Sequence, residues 1–351
     1  RKFMKLFKSL LVAPATLGLL APMAATANEV TINDFNAAEE IAVTNSRVDG
    51  LEARLNNFEA GSFSETTSAS FGSTFYVGSV ENSATGEATT FSYDFGMDLS
   101  TSFTGEDSLD IAVIGGNASG TAVDDFMGGD GTSDALTLDG VSYTFPLGGA
   151  TVIVGDGVGV DDLNTGACAY SAFTDLLSDC GTSNVGGSAD SAFAIAYDFD
   201  NGFTLAGGAG GGTGTDGFFT EEDASTIGLE AAYTADTYGV SVAYTDDEAT
   251  TYWSVQAMLA PEGYPSLSVG YETDDDDADA IFAGLTFAEV GPGSVSLGMA
   301  STDLSSDDYY QYELAYSYPL NDGMTITPGV FIKETSGDDE TGVVVTTSFS
   351  F

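Results

Sequence analysis

The sequence predicts an all-β protein: a transmembrane, antiparallel, up-and-down barrel of about sixteen strands, preceded by a short N-terminal coiled-coil helix. Three observations predict it. First, Thr341, Val343, Val345, Thr347, Phe349 and Phe351 alternate with Gly342, Val344, Thr346, Ser348 and Ser350. One face of such a strand suits an apolar medium and the other suits water. Second, the N-terminus reads as an export signal. Third, from Thr67 onward the hydrophobic pattern has period two and does not return to 3.6.

The export signal sets the compartment. Arg1, Lys2, Lys5 and Lys8 precede an apolar run from Leu10 to Leu20, and Ala25-Thr26-Ala27 supplies a small-residue cleavage site. That is the layout of a secretory signal peptide over 1–27, with Met4 as the expected start. Its apolar run is too short for a spanning helix. The remaining chain is therefore either soluble outside the cytoplasm or spans a membrane as a barrel. A closing strand with a terminal aromatic favours a barrel of the bacterial outer membrane.

Charge narrows the partners. The chain carries 7 Lys and Arg against 54 Asp and Glu. Once the signal is removed, three bases remain (Arg47, Arg54 and Lys333) against all 54 carboxylates, a formal charge of −51. Such a surface repels nucleic acid and anionic lipid and attracts inorganic cations. A hydrophobic fraction of 43%, with 23 Phe and 16 Tyr, argues against disorder. The chain contains no His, which removes the commonest general base and zinc ligand.

Residues 28–61 form the expected periplasmic segment. Asn36 with Glu39 three positions on reads as a capping pair, and Gly61 stops the helix. Ile41, Thr44, Val48, Leu51, Leu55 and Phe58 follow coiled-coil spacing. A helix this short is marginal alone. Its partners are either copies of itself, which predicts a homotrimer, or the barrel rim.

Sixteen strands are expected in the barrel domain 62–351, at 67–80, 87–101, 107–114, 135–146, 150–155, 191–200, 202–210, 225–235, 237–245, 249–260, 264–273, 277–287, 293–303, 308–319, 323–334 and 340–351. Fourteen or eighteen stay open, because 107–114 and 150–155 are weak strands. Tight turns such as Asp200-Asn201-Gly202 alternate with long acidic loops at 115–134, 156–190 and 211–224. Short turns at one end and long loops at the other is the layout of a membrane barrel in outer-membrane lipid. On 308–319 Tyr310, Tyr312, Leu314, Tyr316 and Tyr318 oppose Gln311, Glu313 and Ser317, which places aromatics at both ends of an apolar stripe.

With the polar face inward, Asp94, Asp98, Asp198, Glu230, Glu272, Glu313 and Lys333 are the expected lumen residues. Carboxylate rings in a narrow aqueous pore concentrate cations. Small inward residues such as Gly228, Ser241, Ser268 and Ser296 suit an open bore. Loop 156–190 would be the third on the long-loop side. If it folds inward it brings Asp161, Asp162, Asp175 and Asp179 to a constriction. Cys168 and Cys180 within it are few enough to form one disulfide, which would either stiffen a constriction or protect a surface loop from proteolysis. Asp274 to Asp277 with Asp279, and Gly128-Gly129-Asp130-Gly131 with Asp134, could bind calcium weakly or remain solvated. No cofactor is indicated, and nothing marks a catalytic constellation, so no enzyme is expected.

Beyond these residue-level readings, the stretch Thr44-Asn45-Ser46-Arg47-Val48-Asp49-Gly50-Leu51-Glu52-Ala53-Arg54-Leu55, continuing Phe58-Glu59-Ala60-Gly61-Ser62-Phe63-Ser64-Glu65-Thr66-Thr67, resembles a family. This is the cyanobacterial outer-membrane porins, related to carbohydrate-selective, OprB-like porins and also called iron-uptake porins. The signal segment Met4-Lys5-Leu6-Phe7-Lys8-Ser9-Leu10-Leu11-Val12-Ala13-Pro14-Ala15 looks like those of marine picocyanobacterial members. The resemblance is specific over about 44–67 and architectural beyond. It implies a sixteen-stranded, trimeric porin that passes ions and small solutes. Longer members carry a surface-layer-homology domain ahead of the coiled coil, and the short stretch between cleavage site and helix predicts a form without it.

Overall fold

The structure, a computed structural model, describes residues 67–129, 131–182, 185, 191–212, 219, 224–275, 278–301 and 309–351. The expected signal peptide, the coiled-coil helix and its seam residues Ile41, Val48, Leu51, Leu55 and Phe58 lie outside them. All described residues belong to the unit spanning 63–351.

Sixteen antiparallel strands form one closed barrel in which each pairs with its neighbours in sequence. In order they are β1 (Thr67–Glu81), β2 (Thr90–Thr101), β3 (Ser108–Gly116), β4 (Thr137–Leu147), β5 (Ala150–Asp156), β6 (Ser191–Asp198), β7 (Phe203–Gly211) and β8 (Thr226–Ala235). They continue with β9 (Tyr238–Asp246), β10 (Thr251–Leu259), β11 (Ser266–Asp274), β12 (Asp279–Val290), β13 (Gly293–Ser301), β14 (Tyr310–Asn321), β15 (Met324–Lys333) and β16 (Glu340–Ser350). A four-residue helix, α1 (Asp124–Met127), lies in the β3–β4 loop. The weak strands at 107–114 and 150–155 are both present, as β3 and β5.

Closure joins β1 to β16 in register from Gly72 with Ser350 to Glu81 with Thr341. Phe71 and Phe351 then exchange reciprocal backbone hydrogen bonds, N–H to carbonyl, at 2.8 and 3.0 Å. Their rings stack with centroids 5.7 Å apart. A closed sheet leaves no edge whose N–H and C=O groups lack partners, which is the condition for crossing hydrocarbon with strands.

The two faces of the wall differ. Leu229, Val242, Val255, Val269, Leu297, Leu314 and Val330 are exposed on one face. Glu230, Ser241, Gln256, Ser268, Ser296 and Glu313 are buried on the other. The β5–β6 connection lies against the polar face, bonding Glu230, Gln256, Ser268 and Glu313, and this face is the interior. Aromatic pairs sit on the outer face at both ends: Tyr197–Phe199 and Tyr316–Tyr318 near the short turns, Tyr244–Trp253 and Tyr310–Tyr312 near the long loops. This is where amphipathic rings meet the two surfaces of a bilayer.

The short β2–β3 turn is organised by one carboxylate. Asp107 accepts hydrogen bonds from the Tyr143 and Ser102 hydroxyls, the Phe103 and Thr104 N–H groups and the Thr104 hydroxyl, at 2.6 to 2.9 Å. The Tyr143 bond first, then the Thr104 N–H, hold its carboxyl well below the ordinary carboxylate range. A lowered folded-state pKa stabilises the fold above the unfolded value and loses that contribution as pH falls through the folded one. Asp107→Asn is therefore expected to lower the thermal unfolding temperature at neutral pH. The gap from wild type should close on strong acidification, as followed by heat-dependent gel mobility across a pH series.

Candidate functional site: the loop-lined lumen

The β5–β6 connection runs along the inner wall and returns. Going out, Val158 and Val160 pack on Ala192 and Ile153, and a Cβ on Gly228 would come within 2.8 Å of Val160 Cγ2. Thr165 and Gly166 then donate their backbone N–H groups to the two oxygens of Glu230 on β8, at 2.6 and 2.8 Å. Ala167 N–H bonds Gln256 Oε1 on β10, and Ala169 N–H bonds Ser268 Oγ on β11. The loop reaches β14, where Glu313 receives Tyr170 Oη and Phe173 N–H on one oxygen and the N–H and hydroxyl of Thr174 on the other, all between 2.6 and 2.8 Å.

The chain then reverses. Asp179, Cys180 and Gly181 all have left-handed backbone, with φ of 49, 52 and 67°. For the two non-glycine residues that conformation costs on the order of 1 kcal/mol each. Gln256 Nε2 secures the reversal by donating to the Asp179 carbonyl and the Thr182 hydroxyl, each at 2.7 Å. On the return path Val185 N–H reaches Glu272 on β11. Cys168 on the outgoing arm is bonded to Cys180 on the returning arm, with Cα atoms 6.0 Å apart.

A second loop joins it. On α1 of the β3–β4 loop, Phe126 stacks on Phe331 with centroids 4.3 Å apart. Val123, Phe126 and the loop residue Phe173 share a core with Val80, Val344 and Ala315 of the wall. Burying each such apolar side chain contributes roughly 1.5–3 kcal/mol. Lys333 caps this cluster with its Nζ 5.4 Å from the Phe126 ring centroid. From the sequence alone, 115–134 is expected to be an acidic loop. The available signal was Val123, Phe126 and Met127 at i, i+3 and i+4.

The expected lumen residues therefore divide. Glu230, Glu272 and Glu313 face inward but are 6, 1 and 2% exposed; loop donors reach both oxygens of Glu230 and Glu313 and Oε2 of Glu272. Backbone donors supply the compensation that a buried carboxylate needs where bases are missing. Asp94 on β2 accepts the Tyr76 hydroxyl at 2.5 Å, and Asp98 beside it is exposed. Asp198 serves the short β6–β7 turn instead, accepting Asp200 N–H at 2.8 Å. The reading of Gly228 and Ser268 as lining of an open bore is corrected, because Val160 covers one and Ala169 bonds the other.

On the loop, Asp162, Asp175 and Asp179 are exposed and Asp161 is half-buried. Burial first, then the neighbouring Asp162 and Asp179 charges, push the Asp161 carboxyl above its ordinary value. Burial likewise raises the Tyr170 hydroxyl, which stays a donor to Glu313. Between the two loop arms and β8–β10 lies a cavity of about 270 Å³, lined among others by Asp161, Asp179, Glu230, Ser241, Ser254 and Gln256. Among the described residues no acidic group is arranged to hold a metal. Asp130, Asp276 and Asp277 lie outside them. Asp134 accepts Tyr93 Oη and Asp279 accepts Tyr271 Oη, at 2.8 and 2.9 Å. Replacing both cysteines by serine is expected to lower barrel stability by about 3 kcal/mol on a chain-entropy estimate, read as a lower midpoint in denaturant titration against the oxidised wild type.

No protein-family model matches the chain. An uncharacterised protein of Nostoc sp. is 31% identical over 159 residues, which is 40% of this chain and 27% of that protein. The aligned region thus spans about a quarter of that relative's length. Among solved structures, the high-pH structure of Pseudomonas putida OprB is similar with a TM-score of 0.63 and 12% identity, over 82% of this chain and 94% of that one. A loop L8 deletion mutant of OmpT, an outer membrane protein of Vibrio cholerae, gives 0.60 at 13% identity, over 82% and 100%. A triple mutant of the Rh. blastica porin gives 0.57 at 15%, over 81% and 100%. At such identities the likeness is one of fold, and the closed barrel described above is the fold it shares with these proteins.

Proposed function

We propose that this chain is an outer-membrane porin for passive diffusion of ions and small hydrophilic solutes, with a preference for cations. One observation carries the reading: a closed barrel whose polar inner face holds a folded, disulfide-joined loop against its wall. A loop in that position narrows a bore and leaves the uncovered part of the wall to water. Exposed Asp162, Asp175 and Asp179 on the loop, with Asp98 on the wall, present negative charge with little basic compensation. Carboxylates around a narrow aqueous path focus cations and repel anions. The fold likeness to porins and the secretory N-terminus support the same compartment. The expected helix at 34–60 belongs on the periplasmic side in this reading, as the element that draws copies into a trimer.

A second reading has an observation of its own. The β3–β4 and β5–β6 loops both occupy the interior and share a hydrophobic core, which suits a plugged, adhesive or structural barrel whose acidic loops bind calcium or a partner. Planar-bilayer recordings under a KCl gradient separate the two. The porin reading expects stepwise conductance and a reversal potential of the sign set by K⁺ flux. A reversal potential of the opposite sign rejects the cation preference, and silent bilayers reject the porin.

A further inference from the structure

The inner wall carries glycines where the loop lies closest. Across five adjacent pairings, Ser268, Gly284, Gly298, Glu313, Phe331 and Gly342 form one row around β11 to β16. Tyr170 lies over two of these positions: a Cβ on Gly284 would stand 2.7 Å from its Cγ, and one on Gly298 would stand 2.7 Å from its Cζ. The same Cβ on Gly298 would meet Leu177 Cδ2 at 2.7 Å. Beside the row, a Cβ on Gly329 would overlap the ring of Phe173. On Gly208 and Gly270 it would overlap the loop backbone itself, at the carbonyls of Val160 and Cys180. Real Cβ contacts are not this short, so any side chain at these positions displaces the loop. Gly96, away from the loop and on the same face of β2 as Asp94 and Asp98, has open space where its Cβ would go.

We infer that these inward glycines, with Glu313, form a seat that holds the β5–β6 loop to the wall and thereby determines the size limit of the channel. Gly284, Gly298 and Gly329 receive the rings of Tyr170 and Phe173, and Glu313 fixes the register by gathering four donors from a span of five residues. The loop narrows the passage for as long as the seat keeps it inside the barrel. The consequence runs against intuition: added bulk on the lumen wall opens the channel, because it evicts the loop instead of filling a void. This inference rests on the porin reading for its effect on transport but not for its effect on the loop.

Gly298→Val and Gly329→Val are made in the full chain, with Gly96→Val as the unoccupied-wall comparison, and heat-dependent gel mobility confirms each barrel. Two readouts are taken: single-channel conductance, and the rate at which Cys168–Cys180 is reduced and labelled by a maleimide. Cys180 is fully buried in the docked loop. Both valine variants at the seat are expected to conduct about twofold more than wild type, as the loop leaves the lumen, and to label faster. Gly96→Val should label at the wild-type rate and conduct no more than wild type. Lower or unchanged conductance in the seat variants overturns the inference, as does a rise without faster labelling. If the valine variants do not form barrels, the near-isosteric Glu313→Gln decides by the same readouts, since it keeps the packing and removes the charge that holds Tyr170, Phe173 and Thr174. If the wild type is silent in bilayers, the porin reading fails, and the labelling rates alone decide whether the seat holds the loop.

Discussion

The fold depends on one requirement: no backbone N–H or C=O may be left unpaired where water is absent. Hydrocarbon supplies no hydrogen bonds, so a sheet that crosses it has to close. The bonds between Phe71 and Phe351 are where that requirement is met last along the chain. Closure creates an inside and an outside, and the period-two pattern of every strand then sorts side chains between them. The apolar band with its two aromatic fringes and the polar lumen are both consequences of that single closure.

The same requirement reappears inside the barrel. A loop that leaves the rim and lies on the wall brings its own N–H groups away from bulk water, and these need acceptors. The wall supplies them as Glu230, Gln256, Ser268, Glu272 and Glu313. In a chain with so few bases, the buried carboxylates in turn need donors, and the loop backbone provides them. Each side satisfies what the other would leave unmet, so the acidic composition is compatible with a well-ordered interior.

Much of the wall was legible in the sequence, since alternation is a one-dimensional signal that survives without long-range information. Even β3 and β5, short and weakly patterned, fall close to their expected bounds. The interior was not legible in the same way. Periodicity says that Glu313 and Gly298 point inward but not what they meet there, because the partner lies more than a hundred residues away at Tyr170. Small inward residues read equally as empty space or as space already occupied. The β3–β4 loop hid its role because a four-residue helix is too short to stand out from its acidic surroundings. The paired cysteines were the one local hint that the third loop had a fixed shape.

The disulfide has a further consequence for inheritance. It ties the outgoing and returning arms into a small covalent ring, and the surfaces of that ring are cut to fit particular strands. Tyr170 matches β12, β13 and β14, Phe173 matches β14 and β15, and Cys180 matches β11. Such a lobe could not be transplanted onto another barrel by copying its own sequence alone. Wall and loop fit one another across several strands, so a side chain added at Gly284 or Gly329 calls for an answering loss of bulk at Tyr170 or Phe173. Variation in such a barrel would accordingly come through linked pairs of distant residues, and the loop length would be free to stay constant.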